Sequence, residues 1–94
     1  GFYENIPRIL PENIGVEIDK SSWERHKIFN FLQKVGNIAE EEMFKTFNMG
    51  IGMMFFVDER DVEKLIKTLN QKGEKAYVIG KAIEAKTDEK VKLI

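Results

Sequence analysis

The sequence contains no cysteine, one histidine and two prolines among its 94 residues. Without cysteine it has no disulfide framework, no thiolate zinc site and no cysteine nucleophile. The one histidine, His26, excludes a histidine-rich metal site. Because His26 lies between Arg25 and Lys27 on a charged stretch, it also gives no basis for a Ser-His-Asp arrangement. We therefore expect no metal ligands and no catalytic residue in this chain.

An excess of charge of one sign and a long apolar run are also missing. Fifteen basic against sixteen acidic residues give a net charge of −1, which lacks the basic surface typical of nucleic-acid binding. The longest apolar run, residues 51–57, is interrupted by Gly52 and is too short to span a bilayer. We expect neither nucleic acid nor a membrane as a partner. The 43% hydrophobic and 33% charged residues predict one soluble globular domain.

The spacing of apolar residues predicts helices that alternate with a few short strands. We expect helices within residues 1–10 and over 28–35, 40–47 and about 60–72, and strands over 14–19, 50–57 and 76–83, with a last short strand or a loose end at 91–94. The order α-β-α-α-β-α-β predicts an α/β (α+β) fold with helices packed on a small mixed sheet. Because three strands make a thin sheet, a further strand from a preceding segment or a partner would complete it.

Two glycines stand close together just before the apolar stretch. Gly50 and Gly52 follow Asn48 and Met49, and glycines at such a place allow a ligand or another strand to approach the backbone closely. The dinucleotide-binding fingerprint is not met, because Phe55 stands where its third glycine belongs and a strand is predicted to follow. Two interpretations stay open: a tight turn that only starts a strand, and a turn that contacts a ligand.

The first eight residues, Gly-Phe-Tyr-Glu-Asn-Ile-Pro-Arg, form the second unusual segment. If they are helical, the free amides at Gly1 favour an anion such as phosphate, and Arg8 can pair with a phosphate or a carboxylate. The alternative is a surface pair between Glu4 and Arg8, spaced i and i+4, which contributes only a few tenths of a kcal/mol.

Residues 1–11 and 42–53 resemble two motifs of one enzyme family, the phosphoribosylformylglycinamidine cyclo-ligases, also called aminoimidazole ribonucleotide synthetases. The first reads Gly-Phe-Tyr-Glu-Asn-Ile-Pro-Arg-Ile-Leu-Pro, and the second Glu-Met-Phe-Lys-Thr-Phe-Asn-Met-Gly-Ile-Gly-Met. Residues 19–23 and 76–80 fall in the expected places. The resemblance covers about residues 1–83, and residues 84–94 are not diagnostic. It implies that residues 1–94 form a single C-terminal domain of that enzyme, without its N-terminal ATP-binding domain.

The resemblance also implies an activity for the full-length enzyme. Formylglycinamidine ribonucleotide and ATP would give aminoimidazole ribonucleotide, ADP and phosphate in de novo purine synthesis, with ATP and Mg²⁺ held mostly by the N-terminal domain. The same domain would carry the main homodimer interface. We expect the chain alone to hold no cofactor and to be inactive, and we expect the enzyme in the cytoplasm.

Carried over residue by residue, the resemblance implies a substrate-binding role for five positions. Gly1 would help hold a phosphate, Asn5 would donate and accept amide hydrogen bonds, and Arg8 would neutralise phosphate or pair with Glu4. Asn48 and Gly50 would line the cleft, with Gly50 allowing close approach of the ligand.

One alternative function belongs to a different class. A stand-alone binding or regulatory module could have kept the domain and lost the reaction, although two intact motifs count against it.

Overall fold

The computed structural model describes all residues from 1 to 94 and contains four helices and a three-stranded mixed sheet, so the predicted fold class is confirmed. Helix α1 is short and continues into a 3-10 turn, and a second 3-10 turn precedes α4. The elements in chain order are α1 Phe2–Asn5, the turn Ile6–Ile9, β1 Ile14–Ile18, α2 Lys27–Gly36, α3 Glu40–Thr46, the turn Glu59–Asp61, α4 Val62–Gln71, β2 Gly80–Glu84 and β3 Val91–Leu93. No helix has the length and apolarity that crossing a membrane requires.

Strand β1 lies in the middle of the sheet, in the order β2-β1-β3. It pairs with β2 antiparallel, with Ile18 opposite Gly80, and with β3 parallel, with Val16 opposite Val91. Gly80 permits the close approach of β2, because a Cβ atom there would overlap the carbonyl oxygen of Glu17. The last strand, which the sequence left as one of two options, is therefore present and completes the sheet on the β3 side.

The buried core lies between the sheet, α1 and α3. Its aromatic centre consists of Phe2, Trp23 and Phe44, with ring centroids 5.2 Å apart for Phe2–Phe44 and 5.9 Å apart for Phe2–Trp23. All buried apolar side chains belong to residues 1–50 and 80–94, which we call the closed half. They are Phe2, Ile6, Val16, Ile18, Trp23, Met43, Phe44, Met49 and Val91.

Residues 51–79, the open half, differ from the prediction. The expected strand over 50–57 is wrong: residues 51–58 are not part of any ladder, and the expected strand over 76–83 begins only at Gly80. Backbone amides 52–57 and 77–79 donate no hydrogen bond. A strand forms only where a neighbour accepts and donates its hydrogen bonds. Residues 51–58 have no such neighbour, and in residues 76–79 the only backbone bond to a neighbour is from the Asp19 amide to the Ile79 carbonyl.

Helix α4 forms as predicted, with an apolar stripe of Val62, Leu65, Ile66 and Leu69. None of these side chains is buried. The helix ends before Gly73, whose φ of 86° is left-handed. Helix α2 also ends near the predicted place, but the left-handed residue is Asn37, with φ 49°, while Gly36 is still helical. Asparagine tolerates this conformation better than most side chains, so it replaces glycine at the cap.

Candidate functional site

The turn formed by residues 48–50 is the most constrained part of the two motifs. The side chain Oδ1 of Asn48 accepts a hydrogen bond from the backbone amide of Gly50 at 2.8 Å. Met49 and Gly50 have left-handed φ angles of 54° and 94°. Such a conformation costs a non-glycine residue about 1 kcal/mol, so other contacts must hold Met49 in place. We call residues 48–50 the site turn.

Trp23 supplies the main contact that holds the site turn. Its indole Nε1 donates a hydrogen bond to the carbonyl oxygen of Met49 at 3.0 Å, in a buried position, and the Met49 side chain is fully buried. The sequence alone indicates for Trp23 only a place in the core or at a domain contact. The signal for its second role was available, because a buried tryptophan needs an acceptor for its N–H, but the sequence does not say which carbonyl is near.

The first motif packs directly against the second. Gly1 lies on the last turn of α3, where a Cβ atom would overlap the carbonyl oxygen of Lys45. Phe2 contacts both Phe44 of the second motif and Trp23. The aromatic centre of the core therefore joins the two segments, which lie about forty residues apart in the sequence.

The polar residues of the first motif point away from that core. Asn5 and Arg8 are exposed, and neither side chain makes a hydrogen bond or an ion pair within the chain. The surface pair between Glu4 and Arg8, which the sequence offered as an alternative, does not form: these two side chains take part in none of the ion pairs of the structure. Arg8 therefore presents a free guanidinium group.

A large open cavity of about 900 Å³ lies beside the site turn. The closed half contributes residues of β1 and β2 to its wall, together with Ile6, Trp23, Glu24, His26 and Gly50. The rest of the wall consists of the α4 stripe and residues 51–58 and 74–79. Of the five positions predicted to bind substrate, Gly50 lines this cavity, and Gly1, Asn5, Arg8 and Asn48 do not. Asn48 is joined to Gly50 by its hydrogen bond.

His26 is exposed, as its charged neighbours indicated. Its ring nonetheless covers Gly50: the imidazole Nε2 lies 3.6 Å from the position that a Cβ atom at Gly50 would take. The ring also stacks loosely on Phe29, with centroids 6.2 Å apart. No group of three or more His, Asp or Glu side chains converges anywhere in the structure.

Arg25 and Glu40 form the best ion pair near the site, with Nη1 and Oε1 2.9 Å apart. The hydrogen bond from Arg25 lowers the pKa of the Glu40 carboxyl below its ordinary value of 4.5. The Arg25 guanidinium also lies 5.3 Å above the Phe44 ring, which is within the range of a cation–π contact. This pair ties the segment before α2 to the start of α3 and therefore supports the fold rather than a reaction.

Comparison with known proteins gives one family and a consistent set of relatives. The family described as AIR synthase related protein, C-terminal domain, matches residues 1–92. The chain is 54% identical over 85 residues to phosphoribosylformylglycinamidine cyclo-ligase from Thermoanaerobacter sp. (strain X514). It is 51% identical over 84 residues to the protein of the same name from Bacillus cytotoxicus.

These matches cover most of this chain and a small part of the relatives. The alignments include 90% and 89% of the chain but only 25% and 24% of the two relatives. The chain thus spans about a quarter of their length. The resemblance carried by residues 1–11 and 42–53 is confirmed, because the family match includes both motifs. The chain belongs to the family of AIR synthase related proteins, and it matches their C-terminal domain.

Proposed function

We propose that this chain is the C-terminal part of an ATP-dependent ligase that closes the imidazole ring of formylglycinamidine ribonucleotide. The products are aminoimidazole ribonucleotide, ADP and phosphate, in purine biosynthesis. The observation that carries the proposal is the 54% identity to a cyclo-ligase over 90% of the chain. The packing of the two motifs against each other around Phe2, Trp23 and Phe44 supports it.

In the proposed reaction ATP transfers its γ-phosphoryl group to the formamide oxygen of the substrate. The neighbouring nitrogen then attacks that carbon, the C–O bond breaks, and phosphate leaves while the nitrogen loses its proton. Phosphoryl transfer of this kind needs positioning and charge neutralisation more than a protein nucleophile. That requirement agrees with this chain, because the polar groups of its two motifs include the side-chain amides of Asn5 and Asn48 and the guanidinium of Arg8.

The residues of this chain would bind and orient the substrate. The site turn places the backbone of Gly50 at the cavity wall, next to the His26 ring. Arg8 offers an unpaired positive charge for a phosphate, and Asn5 an unpaired amide. We place Mg²⁺ and most contacts to ATP in the remaining part of such an enzyme.

The exposed surface supports the view that further polypeptide covers the open half. The chain has 7239 Å² of accessible surface, whereas a folded monomer of its 10.9 kDa mass is expected to expose about 5,600 Å². Met53, Phe55 and Val78, all in the open half, are 75%, 60% and 58% exposed. We infer that the remaining part of a longer enzyme covers this apolar face, provides the homodimer contacts, and is needed for activity.

A chimera tests the proposal. The segment of the Thermoanaerobacter cyclo-ligase that matches this chain is replaced with residues 1–94, and formation of aminoimidazole ribonucleotide is measured with and without ATP. We expect ATP-dependent product from the chimera and none from residues 1–94 alone. A folded but silent chimera would contradict the proposal and favour a non-catalytic binding module, and turnover by residues 1–94 alone would contradict the need for further polypeptide.

Two exposed arginines give a matched pair for the binding role. Arg8 and Arg60 both lie in 3-10 turns, but Arg60 pairs with Asp58, its Nε 3.1 Å from Oδ1, and Arg8 has no partner. In the chimera, Arg8→Met should lower kcat/KM about tenfold or more, the effect of a charge-assisted hydrogen bond to phosphate. Arg60→Met should leave it within twofold. Equal effects of the two variants would show that Arg8 does not bind the substrate.

A further inference from the structure

The residue with the strongest unassigned contact to the site turn is Trp23. It is the only tryptophan of the chain, it lies outside both motifs, and it is 7% exposed. Its ring packs against both Phe2 of the first motif and Phe44 of the second, with centroids 5.9 and 6.3 Å away. Its Nε1 reaches the carbonyl oxygen of Met49. One side chain therefore contacts both motifs and the backbone of the turn between Asn48 and Gly50.

The site turn needs such a support. Met49 has a left-handed φ of 54° without being a glycine or an asparagine, and a conformation of that kind persists only when its surroundings fix it. Four contacts do so: the Met49 side chain buried in the core, the bonds from the Gly50 and Ile51 amides to Asn48, and the bond from Trp23. The two bonds to Asn48 lie within the turn, so the Trp23 N–H makes the hydrogen bond that connects the turn's backbone to the core.

We propose that the indole N–H of Trp23 is a positioning group: it fixes the Met49 carbonyl and thereby holds Gly50, which is bonded to Asn48, at the cavity wall where the substrate would bind. The part of this proposal that concerns substrate binding rests on the proposed function. The claim that Trp23 fixes the site turn rests only on its hydrogen bond to the Met49 carbonyl. Trp23 itself does not act in the chemistry. Its effect on the reaction passes through the site turn.

The single tryptophan allows an exact test of the N–H group. Growing the 94-residue chain in a tryptophan auxotroph supplied with β-(3-benzothienyl)alanine replaces Trp23 alone and exchanges the N–H for sulfur with almost the same ring shape. Labelling glycine with ¹⁵N then reports the Gly50 amide directly, with Gly15 in β1 and Gly36 in α2 as internal controls.

We expect the Gly50 signal to shift and its amide to exchange with solvent at least tenfold faster, while Gly15 and Gly36 stay unchanged. An unchanged Gly50 amide would overturn the proposal. A uniform loss of protection at Gly15, Gly36 and Gly50 would overturn it too, since the N–H would then support the whole fold rather than the site turn.

Kinetics in the chimera provide the functional readout. Trp23→Phe keeps an aromatic ring and removes the N–H, and we expect KM for formylglycinamidine ribonucleotide to rise about tenfold with kcat within threefold. Val91→Ala, a buried change in β3 at a residue that does not line the cavity, is the control for lost stability and should leave KM unchanged. Equal KM values for both variants would contradict a positioning role.

The two readouts separate the two claims. If the unsubstituted chimera is silent while the Gly50 amide responds to loss of the N–H, the proposed function fails and the positioning of the turn stands. If the chimera is active and neither readout responds to the change at Trp23, the proposed function stands and Trp23 is only a core residue.

Discussion

The open half of this chain has a more apolar sequence than the closed half, with 14 hydrophobic residues of 29 against 26 of 65, and yet it buries far less. Residues 1–50 and 80–94 contain every buried side chain, whereas residues 51–79 contain one helix and two extended segments with no ladder. The apolar run at 51–57 and β1 contain similar shares of strand-forming residues, four of seven and three of five, and each includes one glycine. Strand propensity therefore does not decide which of the two segments becomes a strand.

The difference shows which kind of secondary structure a segment can form without a neighbouring segment. Helix α4 forms although its apolar stripe is not buried, because a helix satisfies its backbone hydrogen bonds internally. Residues 51–57 cannot do this, because a strand depends on a neighbour for every bond. Strand β1 has two neighbours, β2 and β3. The open half thus consists of a helix and two extended segments that belong to no ladder; under the proposed function, further polypeptide would supply their neighbours.

The largest expected difference in unfolding free energy is between two variants, one at a phenylalanine of each half. Phe44 is fully buried and Phe55 is 60% exposed. Phe44→Ala should lower the free energy of unfolding by about 3–5 kcal/mol, and Phe55→Ala should change it by less than about 0.5 kcal/mol. Urea unfolding followed by Trp23 fluorescence measures both. Comparable losses would mean that the open half is packed in solution and that the distinction between halves is wrong.

A pair of glycines sharpens the same comparison. A Cβ atom at Gly80 would overlap the carbonyl oxygen of Glu17, while one at Gly52 meets nothing within 4 Å. Gly80→Ala should destabilise the chain by about 1–3 kcal/mol through strain between β1 and β2. Gly52→Ala should be neutral or stabilise it by about 0.5 kcal/mol, because alanine restricts the unfolded chain. Thermal unfolding of the two variants is the measurement, and a destabilising Gly52→Ala would show a close neighbour at that position.

The smallest effect concerns the pH dependence of the closed half. Arg25 lowers the pKa of Glu40 in the folded chain. Its contribution to stability is therefore complete above the ordinary value of 4.5 and is lost as the pH falls through the lowered folded value. Because the Glu40 side chain is 44% exposed, we expect less than about 1 kcal/mol.

Urea midpoints between pH 3 and 7 measure this contribution. Glu40→Gln should lower the midpoint near neutral pH and converge with the unsubstituted chain in acid. Glu63→Gln, on the exposed face of α4 and without an ion pair in the structure, should follow the unsubstituted profile throughout. A Glu40→Gln profile parallel to the unsubstituted one would show that the pair with Arg25 does not stabilise the fold.

Much of the closed half could be predicted from the sequence. The helices α1, α2 and α3 and the strand β1 have local apolar periods and stops, such as Pro11 after the first turn, and these signals act within a few residues. The strand over 50–57 was predicted from the same kind of signal, but its formation depends on contacts outside the segment.

The candidate site was predicted less completely than the fold. The two motifs identified Gly1, Asn5, Arg8, Asn48 and Gly50, but only the structure shows that the first motif joins the second through Phe2 and Phe44. The role of Trp23 depends on a contact between residues 26 positions apart, which no local pattern encodes. Spacing can indicate that a residue is in the core without indicating which backbone atom it fixes.

Hydrogen exchange of the amides in both halves tests the central claim most directly. It is measured by mass spectrometry on residues 1–94 alone and on the same residues within the chimera. The account predicts protected amides in β1 and α3 in both samples, and amides at 52–57 and 77–79 that exchange freely in the chain alone but become protected in the chimera. Strong protection of these amides in the chain alone would contradict it, because the open half would then need no further polypeptide.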